Sequence, residues 1–66
     1  MDIKAQFGQK IRELRKAKWW SQEELWQEAW LHRTYIGIVE RGEKNISLEN
    51  IKKLADTLNT PIKSLF

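Results

Sequence analysis

The sequence predicts an all-α fold, a compact domain of five short helices spanning residues 1–66. Two observations carry this prediction. Apolar residues recur every three or four positions along most of the chain, and helix-capping patterns separate the segments that show this spacing. The chain has no cysteine and one histidine, so it contains no disulfide and cannot assemble the usual clusters of zinc ligands. We therefore expect a fold that rests on apolar packing, with no metal and no cofactor.

Capping signals place the first two helices. Helix 1 is expected over residues 3–17, where one face carries the apolar residues Ile3, Phe7, Ile11 and Leu14. The segment 21–24 has the sequence of a capping box, in which Ser21 and Glu24 each bind the other's backbone N–H. Helix 2 should begin there and carry Leu25 and Ala29 into the core.

Similar signals place the other three helices. Helix 3 is predicted from His32 or Arg33 to Arg41, ending at Gly42, which tolerates the left-handed conformation of a helix terminus. Ser47 is the predicted N-cap of helix 4. The apolar stripe of helix 4 consists of Ile51, Leu54, Ala55 and Leu58. Proline suits the first position of a helix, so a short fifth helix is expected over 61–66, with Leu65 and Phe66 closing the core.

Four separated segments carry a family resemblance. Ser-Gln-Glu-Glu-Leu at 21–25, Thr-Tyr-Ile-Gly at 34–37, Val-Glu-Arg-Gly at 39–42 and Asn-Ile-Ser-Leu at 45–48 resemble the Cro/repressor-type (XRE-like) helix-turn-helix family. Restriction-modification controllers and phage repressors belong to that family. The resemblance implies a sequence-specific, DNA-binding transcription regulator that acts as a dimer and places helix 3 in the major groove of double-stranded DNA.

The resemblance also implies roles for individual residues. The expected base-contacting residues are His32, Arg33, Thr34 and Ile38, and the expected phosphate-contacting residues are Gln22, Arg41, Lys44 and Asn45. An arginine fork matches the acceptors of guanine, and an aliphatic group can pack on a thymine methyl. Arg15 and Glu40 correspond to a structural ion pair of the family. Ordinary solvated helix and turn residues are the alternative interpretation of these polar side chains.

The composition is compatible with a polyanionic partner, and the sequence argues against a membrane-spanning protein and against an enzyme. The formal net charge is +3, and five basic residues fall within nine positions, namely Lys10, Arg12, Arg15, Lys16 and Lys18. No apolar run approaches the roughly 20 residues needed to span a bilayer, so we expect a cytoplasmic protein. The sequence has no glycine-rich phosphate loop and no recognisable nucleophile partner for His32, which argues against an enzyme.

Four tryptophans depart from the family pattern. Family members usually have glycine at the positions of Trp19 and Trp30, an aliphatic residue at that of Trp20, and alanine at that of Trp26. Without the two glycines, helices 1 to 3 would be able to fuse and align three indoles in one stripe. A partner chain would then cover the indoles in an intertwined or domain-swapped homodimer, making all four tryptophans interface candidates.

The same tryptophans leave alternatives open. One is an engineered, tryptophan-repacked scaffold that forms a homo-oligomer without retained DNA binding. Another is an indole-lined pocket for a small molecule. The capping box at Ser21 opposes fusion of the helices, because it predicts a helix start directly after Trp20.

Overall fold

A computed structural model describes residues 2–32 and 34–66 of the chain. In chain order it contains α1 (Ile3–Ala17), α2 (Gln22–Ala29), α3 (Tyr35–Glu40), α4 (Leu48–Thr57) and a final 3-10 turn (Ile62–Leu65). The described residues form no strand, so the predicted all-α class is confirmed. The expected fifth α-helix is wrong. Pro61 has an extended backbone, with φ −68° and ψ 146°, and only one 3-10 turn follows it.

The capping signals in the sequence located most helix ends correctly. Ser21 Oγ accepts the Glu24 backbone N–H at 3.0 Å, and Glu24 Oε1 accepts the Ser21 N–H at 2.8 Å, which confirms the capping box. Ser47 caps α4 by accepting the Asn50 N–H at 3.1 Å. Gly42 has φ 73° just beyond α3. Side-chain acceptors therefore satisfy free backbone donors at the starts of α2 and α4.

One apolar core joins all five elements. Its buried members are Phe7, Ile11, Leu25, Ala29, Ile36, Val39, Ile51, Leu54, Ala55, Leu58 and Leu65. The Phe66 ring remains half-exposed and stacks on Phe7, with ring centroids 5.3 Å apart. The C-terminal turn thus closes the core against α1, as the sequence predicted.

Close contact between α1 and α3 depends on Gly8. A methyl group at this position would lie 2.8 Å from the Glu40 carbonyl oxygen and closer still to the Val39 carbonyl oxygen. Both obstacles are backbone atoms, which cannot move aside as a flexible side chain can. The absence of a side chain at Gly8 therefore sets how closely the two helices approach.

The proposed fusion of helices 1 to 3 is wrong. Trp19 and Trp30 adopt the left-handed conformation, with φ 62° and 59°, and each interrupts the chain where a glycine would. The Trp30 N–H donates to the Gln27 carbonyl at 3.3 Å, and the Leu31 N–H donates to the Trp26 carbonyl at 3.0 Å. These bonds close the end of α2 despite the bulk of residue 30.

The expected stripe of three indoles is consequently absent from the described fold. Trp19 and Trp30 are 92% and 88% exposed, whereas Trp20 and Trp26 are partly buried against the core of their own chain. Two of the four indoles are therefore covered without a partner. Neither a domain swap nor an engineered origin receives support from this arrangement.

Helix α3 is shorter than predicted. It begins at Tyr35 rather than at residue 32 or 33, so His32 precedes the helix, and Arg33 lies outside the described residues. Ile38, expected on an exposed face, is partly buried. Among the residues described, no helix has the length and apolar character required to cross a membrane.

Candidate functional site

A buried ion pair joins α1 to the end of α3. Arg15 Nε donates to Glu40 Oε2 at 2.6 Å, and Arg15 Nη2 donates to Glu40 Oε1 at 3.0 Å. The two side chains are only 9% and 4% exposed. Arg15 Nη1 also donates to the Trp20 carbonyl at 2.7 Å, so the guanidinium holds the turn between α1 and α2 as well. This two-pronged geometry is the arrangement in which arginine binds a carboxylate most strongly.

Gln22 is attached to the same pair. It is the first residue of α2, and its Nε2 donates to Glu40 Oε1 at 3.1 Å. Because an amide nitrogen carries two hydrogens, one remains to donate elsewhere. Glu40 therefore fixes the orientation of an exposed amide at the start of α2. The sequence did not predict this link, since residues 22 and 40 share no local spacing.

The segment after α3 carries two cations in defined positions. Arg41 Nε lies 3.2 Å from Glu43 Oε2 in an exposed ion pair. Lys44 Nζ lies 5.9 Å from the centre of the Tyr35 ring, close enough for a cation–π contact. The Tyr35 hydroxyl accepts from Asn50 Nδ2 at 3.1 Å, which ties this ring to α4. Asn45, the next predicted site residue, is exposed.

His32 has a local structural partner at the start of α3. Its Nδ1 accepts the Thr34 backbone N–H at 3.3 Å and lies 3.0 Å from Thr34 Oγ1. The Tyr35 N–H donates to the His32 carbonyl at 2.9 Å. His32 thus shapes the first turn of α3 from outside the helix. The pattern of residues around His32 did not predict this local role.

The structure brings only part of the predicted site together. Gln22 and Arg41 both lie beside Gly37 on one side of α3, with Glu40 behind Gln22. His32 and Thr34 form a separate group at the other end of that helix. Sequence reasoning missed Tyr35 and Asn50, because their contacts depend on how α4 packs rather than on a motif. Within the described ranges, no cluster of His, Asp or Glu is arranged to hold a metal ion.

Comparison with known proteins gives consistent matches. A helix-turn-helix family model matches residues 11–65. Control protein C.BamHI from Bacillus amyloliquefaciens is 48% identical over 65 residues, which cover 97% of this chain and 80% of that protein. Control protein C.SmaI from Serratia marcescens is 45% identical, covering 98% and 77% respectively.

Solved structures agree with the sequence matches. The restriction-modification controller protein C.AhdI from Aeromonas hydrophila superposes with a TM-score of 0.90 at 52% identity, covering 94% of both chains. The hypothetical transcription factor NHTF from Neisseria gives a TM-score of 0.93 at 42% identity, covering 97% of this chain and 74% of that one. The described fold is therefore similar to those of these proteins over almost its whole length.

Proposed function

The chain belongs to the helix-turn-helix family, and we propose that it is the DNA-binding domain of a transcription regulator. This family consists of regulator domains and is not an enzyme family. The relatives named as control proteins support a role in the control of restriction-modification genes. In this proposal α3 enters the major groove of double-stranded DNA, while α2 lies across the phosphate backbone.

The observation that carries the proposal is the hydrogen-bonded link from Arg15 through Glu40 to Gln22. It holds α2 against the end of α3 and leaves an amide donor of Gln22 facing outward. A donor fixed in this way loses little conformational entropy when it binds a phosphate oxygen. A stability role alone would not require an exposed amide at the end of the buried ion pair.

The proposed contacts divide into two groups. Gln22, Arg41, Lys44 and Asn45 bind phosphates and set the position of the domain on DNA. His32, Arg33, Thr34 and Ile38 contact base edges, with Arg33 donating to guanine and Ile38 packing on a thymine methyl. His32 would donate from Nε2, because its Nδ1 already accepts from Thr34.

Salt dependence tests the phosphate contacts. Fluorescence anisotropy of a labelled duplex should show affinity falling with salt, with a slope of about −0.9 for each phosphate neutralised in the log–log plot. Arg41→Ala and Lys44→Ala should each make the slope shallower by about that amount. Lys63→Ala, which removes the same charge from the C-terminal turn, is the matched control and should change little. Absence of duplex binding at low salt would refute the proposal.

Base discrimination tests the recognition residues. We expect Arg33→Ala to reduce the preference for the cognate duplex by about 1–3 kcal/mol at one position while binding to unrelated duplexes changes less. Competition with single-base variants of a selected binding site provides the measurement. Equal losses on all duplexes would instead assign Arg33 to the phosphate backbone.

We also propose that two copies of the domain act as a homodimer. Among the described residues, the large apolar side chains that are exposed, apart from Trp19 and Trp30 beside α2, are Ile3, Leu48, Ile62 and Phe66. A second chain that covers these four leaves the DNA-facing helices α2 and α3 free. Sedimentation equilibrium should give twice the mass of one chain, and Leu48→Ser with Phe66→Ser should give the mass of one chain. If Trp19→Gly with Trp30→Gly has that effect instead, the exposed indoles form the interface.

A further inference from the structure

Gly37 lies inside α3, where glycine is an unfavourable choice. It is the third residue of this six-residue helix and is buried. Glycine lowers helix stability relative to alanine, because it loses more backbone freedom on folding. No turn or left-handed backbone accounts for it, since positive φ among the described glycines is confined to Gly42. Another feature must explain the missing side chain.

The space beside Gly37 is occupied by two proposed phosphate-binding side chains. A methyl group placed on Gly37 would lie 3.2 Å from Arg41 Nη1, 3.4 Å from Gln22 Oε1 and 3.8 Å from Gln22 Nε2. Arg41 reaches this position because residues four apart share one helix face. Gln22 reaches it from α2, held there by Glu40. The guanidinium and the amide therefore both lie over the bare backbone of α3 at Gly37.

We infer that Gly37 is a positioning residue for phosphate binding, because its missing side chain lets the Gln22 amide and the Arg41 guanidinium lie side by side and donate to one phosphate group. Each side chain is anchored from behind. Glu40 holds the amide, and Glu43 pairs with Arg41 Nε, so Nη1 is the part of the guanidinium that extends over Gly37. This inference rests on the proposed function and specifies how that surface is built.

A size series at position 37 provides the test. Alanine and leucine are both better helix formers than glycine, so Gly37→Ala and Gly37→Leu should not lower helix content for reasons of propensity. A methyl group demands a shift of a few tenths of an ångström from flexible side-chain ends. The longer leucine side chain should demand a larger displacement of both side chains. We expect a small loss of duplex affinity for alanine and a roughly tenfold or larger loss for leucine. For leucine the salt slope should become shallower by about 0.9, corresponding to one lost phosphate contact.

A second background separates positioning from a direct clash with DNA. In a protein that already carries Gln22→Ala and Arg41→Ala, Gly37→Leu should have no further effect on affinity or on the salt slope. A loss that persists in this background would show that residue 37 itself obstructs the duplex and would overturn the inference. Thermal unfolding and far-UV circular dichroism of every variant establish that each one folds.

The outcomes also distinguish a failure of the positioning role of Gly37 from a failure of the proposed DNA binding. If the unchanged protein fails to bind duplex DNA, the proposed function and this inference fall together. If the unchanged protein binds and folded Gly37→Leu binds equally well with the same salt slope, only the role of Gly37 is refuted. Support for the proposed function and for the role of Gly37 requires two results. Gly37→Leu weakens binding and makes the salt slope shallower in the unchanged protein, and it has neither effect in the background that carries Gln22→Ala and Arg41→Ala.

Discussion

Replacing Trp19 and Trp30 with glycine should stabilise the domain. Both residues have positive φ, a conformation that costs an L-residue about 1–2 kcal/mol and costs glycine almost nothing. The indoles are 92% and 88% exposed, so their removal sacrifices little packing. Glycine reduces this gain by about 0.4–1 kcal/mol, because it increases the conformational freedom of the unfolded chain. The expected net gain is about 0.5–1 kcal/mol at each site.

Urea unfolding followed by far-UV circular dichroism measures this gain. For a domain of this size each kcal/mol should raise the midpoint of thermal unfolding by roughly 4–8 °C. Trp26→Gly is the control, because Trp26 lies within α2 and packs against the core. That variant should lose at least about 2 kcal/mol, since it combines lost packing with a glycine in a helix interior.

An unchanged or lower free energy of unfolding for Trp19→Gly and Trp30→Gly would refute this reasoning. It would mean that the exposed indoles make contacts beyond the single chain, and those contacts would depend on protein concentration. Repeating the unfolding at protein concentrations that differ tenfold distinguishes backbone strain within one chain from contacts between chains. A gain that comes from relieved backbone strain does not change with protein concentration.

Two further changes test the contacts that hold the site together. Glu40→Ala leaves the Arg15 guanidinium buried without its carboxylate. We expect it to lower the free energy of unfolding, measured by urea titration, by about 3–5 kcal/mol. A loss below about 1 kcal/mol would show that water reaches the guanidinium. Gly8→Ala forces a methyl group onto the backbone of α3. Although alanine is the better helix former, this change should lower the midpoint of thermal unfolding by more than the control Ser64→Ala, which alters an exposed residue. Equal midpoints for the two variants would contradict the close approach of α1 and α3.

Local patterns predicted most of the fold. Apolar spacing identified α1 and α4, and the capping box identified the start of α2, because both signals depend on residues within one or two helical turns. Prediction failed at the N-terminal end of α3. The N-terminal boundary was placed too early, since the side chain of His32 forms a turn with Thr34 that precedes the helix.

The candidate site was less accessible to sequence reasoning. The resemblance to a known family supplied Arg15 and Glu40 as a structural ion pair and Gln22 as a phosphate-contacting residue without a link to that pair. The attachment of Gln22 to this pair through Glu40 Oε1 emerged only from the packing of α1, α2 and α3. Contacts between distant parts of the chain also determine the space beside Gly37 and the cation–π contact of Lys44 with the Tyr35 ring.

The sequence by itself determined an all-α domain, its apolar core and most of its helix starts, because those features follow from spacing and from caps within a few residues. Only the tertiary structure decided the fate of the four tryptophans. A bulky residue disfavours positive φ locally, and the sequence therefore raised the hypothesis of continuous helices, which the capping box at Ser21 opposed. The packing of Trp20 and Leu31 on the core, together with the bonds that close α1 and α2, holds Trp19 and Trp30 in that conformation. Contacts spread over the whole fold thus outweigh a local preference of about 1–2 kcal/mol at each site.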